Sequence, residues 1–241
     1  MKIINTSMIV SLTQAINHKL VGHLGAVMSQ SERFLLNLDD GIYKNKSDKE
    51  IIHEAAEIMR LNLKSTISAK ELLQEMSNYI SSDSSADIKN IDIRDEADKV
   101  LSTLKVKIDK VGILVKKNFP KKLSLLEGNP HCIEDIFYIL LDNAIEAIKV
   151  KGRGEIAFKI TESKEHIIVE VKDTGCGISQ EAKKHIFEPF FCIRPHSVKS
   201  GLGLFIAHEI AYSMNASILC ESKLEVGSTF SLKFNRKQRG E

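Results

Sequence analysis

The sequence lacks the features of a membrane-spanning, secreted or polyanion-binding protein. No apolar run approaches the roughly 18 residues that a membrane span requires, and polar residues interrupt the apolar part of the N-terminus MKIINTSMIVSLTQAINHKL, which is a poor signal peptide. The 34 Lys and Arg residues nearly balance the 32 Asp and Glu residues, so the formal net charge is only +2. A charge this small does not attract nucleic acid or anionic membranes nonspecifically. We expect no nucleic-acid partner and no membrane insertion.

The four cysteines also lack a pattern. Cys132, Cys176, Cys192 and Cys220 form no Cys-x-x-Cys pair, and His131 beside Cys132 has no second pair at metal-ligand spacing. A zinc site is therefore not expected. Unpatterned thiols are typical of a reducing compartment, which predicts a cytoplasmic protein.

The first third of the chain contains no proline and little glycine. Between Ile9 and Leu38, apolar residues recur every three or four positions, which predicts one long amphipathic helix. After the turn sequence DDGIYKNKSD, the same periodicity between Ile51 and Ile80 predicts a second helix. Two helices alone cannot enclose a core. We therefore expect residues 1–81 to form an antiparallel hairpin that dimerises into a four-helix bundle.

The pattern changes after residue 81. The polar segment SSDSSAD predicts a linker, taken as residues 82–90. Helical periodicity then alternates with short strands in which every second residue is apolar, as in Ile156, Phe158 and Ile160. We expect helices near residues 94–110, 132–148 and 204–214, and a strand at 111–115. Residues 91–236 are predicted to form an α/β sandwich followed by a polar tail at 237–241, which makes the fold class α+β.

The segment LLDNAIEAI of the second predicted helix of this domain carries a potential metal ligand. Asn143 shares a helix flank with Ile139 and Glu146, which precede and follow it by four and three residues. An amide oxygen is a hard ligand that suits Mg²⁺, which takes only one or two protein ligands beside phosphates and water. A solvated helix asparagine is the alternative interpretation.

Two further segments can surround a base. VKDTGCGIS ends a strand with Asp173, whose carboxylate can accept a hydrogen bond from an adenine amino group, and Gly175 and Gly177 permit positive φ and close backbone approach. A tight turn after the strand is the alternative. EVGSTFSLKF places Ser228 and Thr229 between the closing strands, where a hydroxyl can hold a water beside the base.

The segment IFEPFFCIRPHSVKSGLGLFIAHEI combines aromatic residues with a glycine-opened helix. Gly201, Leu202 and Gly203 precede the predicted helix that begins near Leu204. A helix N-terminus presents unpaired N–H groups to phosphate. Lys199, just before the glycines, can add positive charge.

In their order along the chain and in their spacing, the four segments resemble the N, G1, F, G2 and G3 boxes of the sensor histidine kinases. This family belongs to an ATP-binding superfamily that includes gyrase and the mismatch-repair ATPases. The resemblance covers about residues 91–234. It implies that Asn143 binds Mg²⁺, that Asp173 recognises adenine, and that Gly175 and Gly177 shape the base pocket. It also implies that a mobile lid at residues 192–200 is anchored by Phe187, Phe190 and Phe191. Gly201 and Gly203 would hold the phosphates, with Lys199, Leu202 and Leu204 beside them. Ser228 or Thr229 would support a water bound to adenine.

Position 139 separates two chemistries within this superfamily. The hydrolytic members carry a glutamate four residues before the asparagine to activate water, whereas this chain has Ile139. An aliphatic side chain cannot act as a general base. The site therefore suits phosphoryl transfer to a side chain better than hydrolysis. Glu146 is a weaker candidate for polarising the nucleophile, and an ordinary solvated carboxylate is its alternative interpretation.

The order of a helical hairpin before an ATP domain implies a phosphoacceptor histidine on the first helix. Aligning INHKLVGHLGAV with the family's H box places His18 at the acceptor position, where the neutral imidazole is nucleophilic. The family usually has Glu or Asp after the acceptor, whereas this chain has Lys19. His23, five residues further on, lies on a different helix face. Exposed bundle histidines are the alternative interpretation.

The resemblance predicts an ATP- and Mg²⁺-dependent histidine kinase that autophosphorylates His18 and passes the phosphoryl group to a response-regulator aspartate. Two alternatives stay open: a catalytically silent relative that binds ATP and acts as a docking or phosphorelay scaffold, and an ATP-gated conformational ATPase. Because only 17 residues precede His18, we expect either that a separate protein supplies the input signal or that the sequence is part of a longer protein.

Overall fold

The computed structural model describes residues 6–81, 88–193 and 200–235. These residues fall into two compact units. The first extends to Asn78 and includes Ser200, and the second comprises the described residues from Tyr79 to Ile193 and from Gly201 onwards. The predicted α+β fold class is confirmed.

The first unit is a pair of long helices. Helix α1 spans Thr6–Asp39, a 3₁₀ turn spans Ile42–Asn45, and helix α2 begins at Asp48 and ends at Ser81. At the predicted turn, Gly41 has a φ of 67°, a conformation that glycine adopts more readily than other residues. Asn62 of α2 donates a 2.9 Å hydrogen bond to Ser31 Oγ of α1.

Local hydrogen bonds fix the start of α2. Ser47 and Glu50 form a capping box, in which the Ser47 backbone N–H donates to Glu50 Oε2 at 2.8 Å and the Glu50 N–H donates to Ser47 Oγ at 3.4 Å. In the same turn, the buried Tyr43 donates its hydroxyl hydrogen to Glu54 Oε1 at 2.6 Å. These contacts set the point at which the chain reverses.

Large apolar side chains stay exposed along both helices of this unit. They include Val21, Leu24, Met28, Leu35, Ile52, Met59 and Leu63. None of the described helices combines the length and apolarity needed to cross a bilayer.

The second unit packs helices against a five-stranded sheet. Its helices are α3 (Ile93–Val111), α4 (Pro130–Lys151), the short α5 (Gln180–Lys183) and α6 (Gly203–Ser213). Its strands are β1 (Lys89–Ile91), β2 (Leu114–Asn118), β3 (Leu126–Gly128), β4 (Glu155–Glu162), β5 (His166–Asp173), β6 (Ala216–Lys223) and β7 (Gly227–Asn235). The sheet order is β2-β4-β5-β7-β6, with only β2 and β4 parallel, and β1 pairs with β3 in a separate two-stranded sheet.

Alternating residues of the sheet form the core with α3, α4 and α6. Val171 of β5 and Phe230 of β7 are buried on the face towards the helices, as are Phe137 and Leu140 of α4. Each buried aliphatic or aromatic side chain contributes about 1.5 to 3 kcal/mol to the free energy of folding. The rigid layers hold the ends of β5, β7 and α6 in fixed positions.

Two local predictions differ from the structure. The strand expected at 111–115 begins only at Leu114, because Gly112 ends α3 as a left-handed C-cap with a φ of 72°. Strand β1 begins inside the linker expected at 82–90, since a three-residue strand is too short to produce an alternating pattern. Residues 82–87 of that linker and the tail at 237–241 lie outside the described residues, and the proposed domain boundaries stay predictions.

Candidate functional site

Helix α4 positions Asn143 through well-defined ends. Asn129 caps its N-terminus by accepting a 3.0 Å hydrogen bond from the His131 N–H, Pro130 occupies the first turn, and Gly152 ends the helix in the left-handed region. The apolar stripe of α4 is buried, which leaves Asn143 half-buried at the flank. Asn143 is therefore held on a rigid helix at the edge of the core.

The side chains on the same flank of α4 differ in what they contact. Ile139 lies against Gly203, since a Cβ atom on that glycine would approach Ile139 Cγ2 to 3.4 Å. Asn143 is one helical turn, about 6 Å, further along α4. Glu146 forms an ion pair of 3.3 Å with Lys149, which supports the interpretation of Glu146 as an ordinary helix carboxylate.

Asp173 is the most buried carboxylate of the predicted site. The residue is only 3% exposed, and its Oδ1 accepts a 2.7 Å hydrogen bond from the Gly175 N–H. Burial raises the pKa of this carboxyl, while the backbone N–H groups of Gly175 and Ser228 and the charge of Lys151 lower it. A buried carboxylate with one oxygen held in place can accept a hydrogen bond from a base amino group.

The two predicted G1 glycines are needed for different reasons. Gly175 has no positive φ, but a Cβ at this position would lie 2.6 Å from the Ala147 carbonyl carbon and 2.8 Å from Asp173 Oδ1. Gly177 has a φ of 68° and would place a Cβ 2.1 Å from the Lys223 carbonyl oxygen. The expectation of positive φ thus holds at Gly177 alone, whereas both positions require close backbone approach.

Ser228 and Thr229 have different surroundings on β7. Ser228 pairs with Asp173 across β5 and β7 and is 5% exposed, whereas Thr229 pairs with Lys172 and is half-buried. Since side chains alternate along a strand, Thr229 lies on the opposite face from Asp173. The geometry brings Ser228, and not Thr229, to the face of Asp173. A cavity of about 280 Å³ adjoins this strand end and is lined by Asp173 and Ser228 but also by Lys172 and Thr229 of the opposite face.

Ser222 of β6 is a polar residue of this region that the sequence pattern did not single out. Its Oγ lies 3.0 Å from Ser228 Oγ, donates to the Gly227 carbonyl at 3.0 Å and accepts from the Ile178 N–H at 2.8 Å. One hydroxyl therefore connects β6, β7 and the loop after Asp173. A serine on a strand is too common for the sequence to have identified it.

The F and G2 segments meet at the base of the predicted lid. Phe190 has a φ of 66° and Gly201 a φ of 80°, and a Cβ on Gly201 would lie 2.7 Å from the Phe190 carbonyl carbon. Phe187 contacts His208 of α6 in a tilted arrangement with 5.3 Å between ring centroids, and Phe191 contacts His185 in the same way at 5.6 Å. Residues 194–199 of the expected lid, including Lys199, lie outside the described residues.

Helix α6 begins directly after this contact. Leu202 is its N-cap and Gly203 its first residue, and among the described residues no side chain caps the helix through a hydrogen bond. Leu202 is buried while Gly203 and Leu204 are half-buried. A helix start without a side-chain cap among the described residues is the arrangement that suits phosphate.

The predicted metal ligand fits its surroundings. In the described parts of the chain, no group of three or more His, Cys, Asp or Glu side chains is placed to hold a metal ion. A single amide oxygen at Asn143, one helical turn along α4 from the contact of Ile139 with Gly203, matches the sparse protein coordination of a phosphate-bound Mg²⁺. The Mg²⁺ assignment at Asn143 stays a prediction.

In the first unit, the histidines of α1 differ in exposure. His18 is exposed and His23 is half-buried. Lys19, beside His18, donates a hydrogen bond of 3.2 Å to the Ser200 carbonyl within the same unit. An exposed imidazole on a helix is accessible to a second substrate.

Comparison with known proteins agrees with this geometry. Residues 128–238 match the family described as histidine kinase-, DNA gyrase B- and HSP90-like ATPase. The histidine protein kinase SaeS of Staphylococcus epidermidis is 28% identical over 233 residues, which cover 94% of this chain and 63% of the relative. The signal transduction histidine-protein kinase ArlS of Staphylococcus aureus is 29% identical over 196 residues, or 78% of this chain and 42% of the relative.

Solved structures share the fold. The Acinetobacter baumannii histidine kinase AdeS superposes with a TM-score of 0.57 and 18% identity, covering 90% of this chain and 97% of that one. The histidine kinase ThkA in complex with the response regulator protein TrrA superposes with a TM-score of 0.62 and 23% identity, covering 96% of this chain and 63% of that one.

The curated relatives are longer than the region that matches them, since the chain spans less than two thirds of their length, 63% for SaeS. Within that region, the ATPase family match includes Asp173 and Gly203. The similarity to SaeS also extends through the helical hairpin. Residues 128–238 therefore form an ATPase domain of the histidine kinase-, DNA gyrase B- and HSP90-like type, and the chain is similar to sensor histidine kinases over most of its length.

Proposed function

We propose that this chain is an ATP-dependent protein-histidine kinase of a two-component system. The observation that carries the proposal is Asp173, a buried carboxylate at the end of a central strand whose Oδ1 is held by the Gly175 N–H. Asp173 provides a group for the base of ATP, and the N-terminus of α6, which begins with Gly203 in the same unit, provides groups for the phosphates. His18 on α1 is the proposed phosphoacceptor.

The residues of the second unit bind and orient the nucleotide. The Asp173 carboxylate accepts a hydrogen bond from the adenine amino group, and Ser228 on the neighbouring strand β7 supports a water at the base. The N–H groups at the start of α6 donate to phosphate oxygens. Asn143 would hold Mg²⁺, which neutralises phosphate charge when bound.

The chemistry proposed for His18 is an in-line displacement. A ring nitrogen of the neutral imidazole forms a bond to the γ-phosphorus, the bond to the bridging oxygen breaks, and ADP leaves with the electron pair while the imidazole loses a proton to solvent. Ile139 lies near the phosphate end of the site and cannot activate water. The product phosphoramidate can pass its phosphoryl group to a receiver aspartate.

The proposed partners follow from the first unit. A homodimer through the hairpin would bury the exposed apolar side chains of α1 and α2, among them Val21 and Met28. A response regulator is the proposed acceptor, supported by the solved complex of ThkA with TrrA. A cytoplasmic location is proposed because the four cysteines are free thiols.

A second candidate is a silent relative that binds ATP without phosphorylating itself. The observation that favours it is Lys19, because a charged ammonium beside His18 cannot accept a proton and disfavours an imidazolium. An ATP-gated ATPase is disfavoured by Ile139.

The experiment that tests the proposal is incubation with γ-labelled ATP and Mg²⁺. We expect acid-labile, alkali-stable label on the wild-type chain that is lost in His18→Gln and Asn143→Ala. His23→Gln is the matched control on the same helix and should label normally. Label that survives in His18→Gln would overturn the acceptor assignment, nucleotide binding without any label would favour the silent relative, and steady release of free phosphate would favour the ATPase.

A further inference from the structure

Lys151, in the last turn of α4, joins two segments that are far apart in the sequence. Its Nζ donates hydrogen bonds to the carbonyl oxygens of Thr174 at 3.1 Å and Glu225 at 2.9 Å. Thr174 directly follows Asp173, and Glu225 lies in the turn between β6 and β7. The ammonium group thus links the loop that leaves Asp173 to the hairpin that carries Ser228.

The same two segments are in direct backbone contact. The Glu225 N–H donates to the Cys176 carbonyl at 2.7 Å. A Cβ on Gly227 would lie 2.0 Å from the Asp173 carbonyl oxygen, just as a Cβ on Gly177 would meet Lys223. No side chain fits between the two backbones, so their separation is set by these hydrogen bonds. Asp173 and Ser228 are paired in the sheet, so an opening of this contact would act on the loop, whose Gly175 N–H holds Asp173 Oδ1, and would thereby reorient the carboxylate.

The charge of Lys151 acts on Asp173 as well. Burial raises the pKa of this carboxyl, and Lys151 is among the groups that lower it. Because the lysine is largely exposed, solvent screens this effect. The two carbonyl contacts are therefore the stronger reason for its importance.

We propose that Lys151 is a positioning residue for adenine recognition: it holds the Asp173 loop against the β6–β7 turn and thereby sets the preference of the site for adenine over guanine. The inference rests on the proposed ATP-binding function. Adenine offers an amino donor to a carboxylate, whereas guanine offers a carbonyl oxygen at the equivalent edge, which a carboxylate repels. Discrimination of this kind depends on the exact placement of the carboxylate.

The test compares ATP and GTP binding by calorimetry in four variants of the full chain. Lys151→Met should weaken ATP binding about tenfold, equivalent to about 1.4 kcal/mol, and leave GTP binding unchanged. Lys151→Arg, which retains two donors, should restore ATP affinity to within about twofold of the wild type. Lys149→Met is the matched control, since Lys149 also lies in the last turn of α4 but pairs with Glu146. Lys151→Gln retains an NH₂ donor group on a shorter, uncharged side chain and should fall between Met and Arg.

Hydrogen exchange of the Glu225 amide gives a reading that does not depend on nucleotide. In Lys151→Met this amide should exchange faster because its bond to Cys176 opens more often, while in Lys149→Met it should not. Three results would overturn the recognition role. The first is faster exchange in Lys151→Met with an unchanged ATP-to-GTP selectivity, and the second is an equal loss of ATP and GTP affinity in that variant. The third is the same loss of ATP affinity in Lys149→Met. An unchanged exchange rate of the Glu225 amide in Lys151→Met would overturn the proposal that Lys151 holds the Asp173 loop against the β6–β7 turn. A wild-type chain that binds neither nucleotide would instead overturn the proposed function and this inference with it.

Discussion

Ile139 of α4 lies against Gly203, the first residue of α6, at a distance that leaves 3.4 Å between Ile139 Cγ2 and a Cβ built on the glycine. The position at which hydrolytic relatives carry a catalytic glutamate therefore adjoins the proposed phosphate site. An aliphatic side chain here removes both a base for water and a negative charge beside the phosphates. The residue that leaves the site without a base for water therefore also lies beside the proposed binding site of the phosphates.

Replacing Ile139 by glutamate should weaken ATP binding. A carboxylate about 4 Å from a phosphate charge costs about 1 kcal/mol even in a water-like dielectric, which is about a fivefold loss of affinity. Calorimetric titration with ATP measures it. Ile139→Gln is the matched control, since it has the same shape without the charge, and equal affinities for the two variants would contradict the explanation.

Asp173→Asn should lose nucleotide binding without losing stability. The asparagine amide can still accept from Gly175, but its amino group then faces the adenine amino group, and a lost hydrogen bond to a charged partner weakens binding by about 10- to 100-fold. Burial raises the pKa of Asp173 above its ordinary value of 3.8. The ionisation of this carboxyl therefore destabilises the folded state, and the destabilisation grows as the pH rises from 3.8 towards the raised pKa and is fully present above it. Thermal melting should therefore show an equal or higher Tm, and a large fall in Tm would contradict this assignment.

Asp135, in the second turn of α4, should make stability depend on pH. Burial raises the pKa of its carboxyl from 3.8 to about 6. The folded state thus binds a proton that the unfolded state releases, so this group's contribution to the free energy of unfolding falls as the pH rises from about 4 to about 6. Since Asp135 is only partly buried, solvent screening reduces this effect, and the free energy of unfolding of Asp135→Asn should rise relative to that of the wild type by on the order of 1 to 2 kcal/mol across that interval. Urea unfolding at pH 4 and pH 7 measures the difference, and a gap that stays constant between the two would contradict the prediction.

Lys19→Glu should accelerate autophosphorylation if His18 is the acceptor. The carboxylate can accept the imidazole proton, and general base catalysis contributes about 10²- to 10⁴-fold when geometry permits. We expect at least about a tenfold rise in the initial rate of acid-labile labelling. Lys19→Met removes the charge without adding a base and should give a smaller rise. An equal rise in both variants would assign the effect to the lost ammonium instead.

Much of the fold and of the candidate site could be predicted from the sequence because the signals are local. The ends of α4 follow from Asn129, Pro130 and Gly152, and the helix extends only two or three residues beyond the predicted 132–148 at each end. Asp173 and Gly203 are recognisable in the sequence because Asp173 ends β5 and Gly203 opens α6. The buried face of β5 follows from its alternating residues in the same way.

The features that could not be predicted depend on contacts between distant residues. Lys151 meets Thr174 and Glu225 only because the turn between β6 and β7 folds back on the end of α4. The choice between Ser228 and Thr229 depends on the register of β7 against β5, and a shift of one residue would exchange their faces. A linear pattern contains neither fact.

The pairing of Asp173 with Ser228 across the two central strands has a consequence for how the protein is made. The two residues are separated by the whole of α5, α6 and β6, so one wall of the base pocket exists only after nearly the entire sheet has been synthesised. Pairing over such a separation closes a long loop and forms slowly compared with the local hairpins. A nascent chain therefore cannot capture nucleotide early, and ATP, by binding only the completed sheet, would stabilise the final step of its assembly.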